Sequence, residues 1–468
     1  MKIKQRPEDF VVREGYRFEP DLEGPVWVYR MDKQKVSTLQ ALERISKAFA
    51  VRRRDLSICG LKDKQGRTEQ LVGVLGGALG DSEVVQSGDL RLKLIGRTAQ
   101  PLSSRNITAN RFEVTVRDLS PDEAERVRES AAEVERTGVV NYFDSQRFGF
   151  LKHGQGFIAR HLLRGDWESA LKAFLATPSE LDRSDDAKVK TFWRDHWGEW
   201  QLRAPQAAGK RYAPILRRLR EDPRDFKGAF LHIDRRLRMM ALFELQSFLW
   251  NEGVKRYLGA RISAAELIGL RYQAGALVFP RSLTRELRDD LWKRTFPLLA
   301  PDSRIEDPRV RDAALGALRA QGLTVEQLRV PDSPLFFKHE ERPLFIRPGK
   351  LRVHPPRPDE LNRGKRKVNL SFTLPPGAYA TLVVRRVLWF ATESARPVLR
   401  SAAPESAPRP MSRPAPREPA STRPGTAGAA ERKERPAAQP QGFLARQRAR
   451  KAERAARREA ARKPPGNR

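Results

Sequence analysis

The spacing of apolar residues changes along this chain and then changes back, and that reversal limits the fold more than any motif does. In the first 150 residues the period is two: Val26, Val28 and Arg30 alternate with Trp27 and Tyr29, while Leu90, Leu92 and Leu94, then Phe112, Val114 and Val116, alternate with mostly charged neighbours. Such runs read as half-buried strands. From about residue 160 the spacing becomes helical. Asp166 stands where it would cap a helix carrying Trp167, Ala170, Leu171, Phe174 and Leu175 on one face, and further helices are predicted over 239–258, 284–295, 308–320 and 325–329. The stretch 367–388 then reads as a strand, a Pro-Pro-Gly turn and an apolar helix. The expectation is an α/β domain interrupted by a helical insertion. No fixed-period repeat is present.

Local signals sharpen the first part. Ser37-Thr38-Leu39-Gln40 is a capping box that opens a helix with Leu39, Leu42, Ile45 and Phe49 on one side. Ser120-Pro121-Asp122-Glu123 opens another, with serine as cap, proline at the first helical position, and Gly138 to end it.

Charge bears on the partner. The 468 residues carry 90 Lys and Arg against 58 Asp and Glu, a net charge of +32, which points to a polyanion. The residues from Arg396 onward hold 12 prolines and a net +13 with scarcely any large apolar side chain. That composition cannot bury enough surface to offset its ordering entropy, so 396–468 is expected to be a disordered basic tail. Residues 445–463, rich in Ala, Arg and Glu, have i,i+4 pairs that suit a helix formed on a polyanion. The tail reads equally as a non-specific RNA adhesive or as a solubilising extension. The remaining +19 lies in the folded part.

Several chemistries lack their parts. Cys59 is the single cysteine, so no intramolecular disulfide and no zinc site needing two thiolates can form. The six histidines show no close ligand spacing, Gly73, Gly76, Gly77 and Gly80 are not followed by Gly-Lys-Ser/Thr, and no Gly-x-Ser-x-Gly occurs. The start turns polar at once, and no stretch approaches the roughly 18 apolar residues of a membrane span. A soluble protein of a reducing compartment, placed in the cytoplasm, is expected.

The segment Gly60-Leu61-Lys62-Asp63-Lys64-Gln65-Gly66-Arg67-Thr68-Glu69-Gln70 puts Asp63 among the three cations Lys62, Lys64 and Arg67, between the apolar anchors Leu56-Ser57-Ile58-Cys59 and Leu71-Val72. Neighbouring cations favour the ionised form of Asp63, and a loop on a rigid sheet is a common place for a catalytic group. Alone, the same residues also describe a turn.

Here the sequence resembles the TruD-type tRNA pseudouridine synthases. Lys62-Asp63 followed by Thr68-Glu69-Gln70 is similar to the family's Lys-Asp…Thr-x-Gln, and Asn141-Tyr142-Phe143-Asp144-Ser145-Gln146-Arg147-Phe148-Gly149 is similar to its Asn-Tyr-Phe-Gly-x-Gln-Arg-Phe-Gly. Phe372, Leu374-Pro375, Gly377 and Ala380-Thr381 resemble the stretch near the end of the catalytic domain. Lys4 before Pro7-Glu8-Asp9-Phe10 fits too, as does Gln246-Ser247-Phe248-Leu249-Trp250-Asn251 in the helical part.

The resemblance implies isomerisation of uridine to pseudouridine in tRNA, at position 13, without cofactor or metal. It implies a pseudouridine-synthase-like α/β (α+β) catalytic domain with a mixed, largely antiparallel sheet over 1–160 and 346–395, interrupted by a mostly helical TRUD insertion over 161–345. Asp63 matches the catalytic aspartate, which acts on the sugar of the detached-base intermediate by attack or by deprotonation; Lys4 matches its basic partner. Phe143 matches the aromatic that stacks on the target base, Asn141 an orienting polar residue and Phe372 a second aromatic wall. Lys62, Thr68, Gln70 and Arg147 complete the expected substrate-binding set, with Arg52-Arg53-Arg54, Lys64 and Arg67 as further cations flanking the centre. The charge runs Arg217-Arg218 and Arg235-Arg236 suit solvated helix faces as well as RNA contacts. The chemistry fits these roles: breaking the glycosidic bond calls for an ionised carboxylate near the ribose, and a uridine out of its stack calls for aromatic faces. Three departures from the family pattern stand out. Gly66-Arg67 replaces a small-apolar pair, Asp144 replaces a glycine, where it would repel phosphate or distort the loop if φ had to be positive, and Arg386 stands where glutamate is usual. The rival reading is a non-catalytic RNA-binding or RNA-folding factor with the same fold, and the oligomeric state is left open.

Overall fold

Strands from the two ends of the chain meet in one sheet. In the computed structural model, which describes residues 1–391 apart from 77–85, 152–155, 180, 181, 183 and 206–208, eleven strands share it. The order across its main path is Gly349–Val353, Arg366–Leu374, Ile107–Leu119, Phe10–Tyr16, Arg67–Leu75, Val26–Gln34, Leu90–Thr98 and Gln86–Ser87. All pairs are antiparallel except Phe10–Tyr16 with Arg67–Leu75. The registers align Phe372, Phe112, Val12, Thr68 and Lys33 in one row across five strands. Partners directly opposite in a ladder share a face, so this row sets what stands beside the Asp63 loop.

Helices cover the sheet where the local signals placed them. Ser37 caps Thr38–Ala48 through a capping box, and Ala41, Leu42 and Ile45 pack on Tyr29, Met31, Leu90 and Leu92. Leu39, expected on that face, is exposed, because the buried face centres on Ala41 and Leu42. Ser120 caps Pro121–Thr137, which ends at Gly138 with φ 74°. Asp166 caps Trp167–Leu175, and Thr284 caps Arg285–Lys293. The longest helix, Arg235–Gly259, crosses Pro308–Arg319.

The helical middle also contains short antiparallel pairs: Leu267–Tyr272 with Gly275–Pro280, and Thr295–Leu298 with Glu340–Pro343. The predicted helix at 325–329 is a turn closed by Leu328 N–H on the Val325 carbonyl, since so short a stretch does not repay the cost of helix nucleation. One hydrophobic cluster runs from Val114 and Val127 through Leu242 and Trp250 to Leu318, and the described residues all belong to one compact unit, Met1–Ala403. Among the described residues no helix is long and apolar enough to cross a membrane. The expected basic tail with its segment 445–463, and Gly77, Gly80 and His153, lie outside the described residues.

Candidate active site

Asp63 sits in the loop between Leu56–Ile58 and Arg67–Leu75, neighbouring antiparallel strands. Gly66 is required there, because a Cβ would stand 2.2 Å from the Phe10 carbonyl oxygen. The Asp63 carboxylate pairs with the Lys4 ammonium and accepts hydrogen bonds from Gln146 Nε2 at 3.1 Å and the Gln65 N–H at 2.8 Å. Burial pushes its pKa up, but the bonds from Lys4, Gln65 and Gln146 outweigh that and hold the carboxyl below its ordinary value. It is therefore ionised at neutral pH. Lys4 has a left-handed backbone, φ 61°, and its ammonium also lies 4.1 Å from the centre of the Phe10 ring. Just beyond it, Asp9 is gripped by buried Arg117, which also holds Asp359 and Glu360.

The loop is held from beneath by polar groups within the sheet. Lys33, almost fully buried, donates to the Asp63 carbonyl at 2.8 Å and the Val36 carbonyl at 2.9 Å; burial lowers its pKa to about 8 despite the pull of Asp63. Gln70 donates to the Gly60 carbonyl at 3.0 Å and accepts from Thr38, whose hydroxyl oxygen in turn accepts the Lys62 N–H. Lys62 turns inward: its ammonium is 2.5 Å from Glu14, a buried carboxylate that also accepts the Leu71 N–H. Of the expected substrate-binding residues, then, Lys62 and Gln70 brace the loop, and Thr68 is fully buried in the row beside Val12. Lys64 and Arg67 remain exposed. Burial, and after it Glu14, pushes the nearby Cys59 thiol up to about 12, which leaves it protonated.

A cavity of about 410 Å³ opens in front of Asp63, lined by Lys62, Gln146, Asn110, Thr381 and the rings of Phe10, Phe112 and Tyr379. Phe372 and Phe143 do not line it. Phe372 stacks behind Phe112, with ring centres 5.6 Å apart, and Phe143 meets Tyr379 edge to face at 6.3 Å. Asn141 faces Arg342, accepting from Nη2 at 2.7 Å through its side chain and from Nε at 2.9 Å through its carbonyl. The same guanidinium donates to the Gly377 carbonyl and lies 4.2 Å from the Phe143 ring centre; burial lowers its pKa to about 10.

The segment 141–150 is held by one stripe of the long helix Arg235–Gly259. Asn251 clamps both backbone groups of Phe143 at 2.9 Å, Ser247 accepts from Arg147 at 3.0 Å, and Glu244 accepts the Phe150 N–H at 2.6 Å. These positions are spaced three and four apart, so they share one face of the helix. Two of the departing residues, Asp144 and Arg386, have partners as well. Asp144 is extended at φ −89° and its carboxylate is taken by Thr381 and Arg385, so no glycine conformation is needed and its charge is matched. Arg386 is buried and donates to Glu133, Pro280 and Arg281. Sequence reasoning missed Lys33, Glu14 and Thr38 as loop supports and read Phe112 only as a strand residue. Among the described residues no three His, Cys, Asp or Glu side chains are grouped to hold a metal ion.

Comparison with known proteins gives one answer. Residues 1–387 match the family model described as tRNA pseudouridine synthase D (TruD). A probable tRNA pseudouridine synthase D 2 from Methanocaldococcus jannaschii is 30% identical over 393 residues, covering 82% of this chain and 91% of that protein. The tRNA pseudouridine synthase D of Aquifex aeolicus is 27% identical over 395 residues, covering 83% and 98%. The crystal structure of the putative tRNA pseudouridine synthase D from Methanosarcina mazei superposes with a TM-score of 0.60 at 23% identity, over 83% of this chain and 93% of that one, and so shares the fold. With the match to the family model spanning both the Asp63 loop and the segment 141–150, the chain belongs to the TruD family of tRNA pseudouridine synthases.

Proposed function

We propose that this chain converts uridine to pseudouridine at position 13 of tRNA, with Asp63 as the catalytic carboxylate and Lys4 as its partner. The observation that carries this reading is the Lys4–Asp63 pair at the edge of a small aromatic cavity. The reaction breaks the bond between uracil N1 and ribose C1′ and joins C5 to C1′. N1 gains a proton and the C5 proton leaves to solvent, so no co-reactant enters the balance. A carboxylate kept ionised by Lys4 and Gln146 suits action on the ribose, whether by attack or by deprotonation. Phe10, Phe112 and Tyr379 offer the faces between which a flipped base can turn, with Phe143 and Phe372 backing them. Asn141 serves by orienting Arg342, and Arg147 by its bond to Ser247. In this reading 161–345 is an insertion between the catalytic parts 1–160 and 346–395.

The test is release of tritium from C5-labelled uridine in unmodified tRNA. Asp63→Asn should lower the single-turnover rate by roughly 10³-fold or more while tRNA affinity stays near wild type. Full turnover by this variant would remove Asp63 from the mechanism, and labelled product mapped to another nucleotide would remove position 13.

A further inference from the structure

A second cavity, sharing no lining residue with the first, lies between the helices Arg235–Gly259 and Pro308–Arg319. It holds about 720 Å³ and is lined by Arg256, Arg261, Arg309 and Arg319, with Asp312 as its one carboxylate. The residues between these arginines are small: Ala260, Ala313 and Gly316 leave a trough rather than a ridge. A Cβ added at Gly316 would stand 3.6 Å from Arg256 Cδ and 3.9 Å from Arg319 Nη2, so side chains of two helices converge over that glycine. Arg261 is fixed in direction by bonds of 2.7 Å to Tyr257 Oη and to Asp290. Among the described residues, no hydrogen bond or ion pair engages the guanidiniums of Arg256, Arg309 and Arg319. Elsewhere in the helical region Arg194, Arg218, Arg285 and Arg294 each have a carboxylate partner.

Cations that outnumber their counter-charges around a concave surface, here four arginines against Asp312 in the lining and Asp290 beside Arg261, repel one another until an anion enters, and the planar guanidinium fork matches phosphate oxygens. We propose that this trough binds the phosphodiester backbone of the tRNA at a distance from the reacting uridine; the proposal rests on the tRNA reading above. A polymer of regularly spaced phosphates can engage convergent arginines together, whereas an acidic protein segment would also call for an apolar anchor, and Leu287 is the one large aliphatic side chain in the lining. The placement serves the enzyme. The helix that contributes Arg256 also clamps Phe143 and Phe150 through Asn251 and Glu244, so a backbone bound in the trough is referenced to the segment that presents Gln146 to Asp63.

The test measures binding of unmodified tRNA over a range of KCl concentrations, with single-turnover rates at saturating enzyme. The triple variant Arg256→Gln/Arg309→Gln/Arg319→Gln should raise Kd about tenfold near physiological salt and reduce the slope of log K against log salt by about two, at ~0.7–0.9 per phosphate contact. Its saturated single-turnover rate should match wild type. A control of equal charge change, Arg44→Gln/Arg194→Gln/Arg285→Gln, removes exposed arginines that already have partners and should leave Kd within about twofold. Equal losses in both triples would show that only bulk charge matters and would overturn the proposal, as would no loss in either. A dependence of AMP binding, but not tRNA binding, on the three arginines would assign the trough to a small anion and overturn it too. Wild-type enzyme that modifies tRNA while the trough triple binds normally overturns the trough alone; wild-type enzyme that binds no tRNA overturns both readings.

Discussion

Two segments meet at Asp63 and are held in different ways. The loop carrying Asp63 is fastened by Glu14, Lys33, Thr38 and Gln70, all from the sheet or the helix beside it. The segment 141–150, which sends Gln146 to the same carboxylate, is fastened by Glu244, Ser247 and Asn251 of the long helix and by Arg342 further on. The first is part of the sheet's own framework. The second takes its position from the helical region, so a disturbance there reaches the site through Gln146 and the ring of Phe143 while the Asp63 loop stays put.

That contrast can be broken most forcefully at Lys62. Lys62→Met strands the buried Glu14 carboxylate and should cost about 3–5 kcal/mol in urea denaturation, with Lys62→Met/Glu14→Gln recovering a large part. A loss below about 1 kcal/mol would mean the pair does not anchor the loop. On the other side, Asn251→Ala leaves the N–H and carbonyl of Phe143 without their partner, at about 1–3 kcal/mol. Because it loosens only the second segment, it should lower the single-turnover rate more than tRNA affinity; the reverse pattern would mean that Asn251 serves RNA binding instead.

The smallest effect concerns pH. Burial raises the Glu244 carboxyl from an ordinary 4.5 to about 8, against the pull of the Phe150 N–H and Arg147. An acid whose folded pKa is raised stabilises fully below its unfolded pKa and loses that contribution as pH rises through the folded one. Wild type should therefore lose stability between about pH 4.5 and 8, while Glu244→Gln, neutral throughout, should show a flatter profile. A shift of a few degrees in Tm at pH 8 in favour of the glutamine variant is expected. Parallel profiles would show Glu244 to be ionised when folded.

What could be read in advance follows the same divide. The capping boxes at Ser37 and Ser120 were legible because all their atoms lie within four residues, and the Lys62-Asp63 to Gln70 spacing was legible as a motif. Lys33 and Glu14 were not, because a charged residue in an alternating strand looks the same whether it faces water or a loop. The partners of Asp144 are Thr381 and Arg385, on a helix more than two hundred positions away, so local reading foresaw repulsion where the structure has pairing. Phe143 and Phe372 carry the resemblance, yet Phe10, Phe112 and Tyr379 face the cavity, since motif position alone does not give depth within a packed aromatic layer.

The strand Arg366–Leu374 lies beside Ile107–Leu119, and the residues just after it, Gly377 to Thr381, form one side of the cavity. On a translating ribosome the sheet must wait for the whole helical region to be made before this strand arrives. Until then the edge of Ile107–Leu119 is open and the cavity lacks a side. The pocket before Asp63 is thus closed by residues that lie more than two hundred and fifty positions after the strand they complete it with, so any truncation before Thr381 leaves it open on one side.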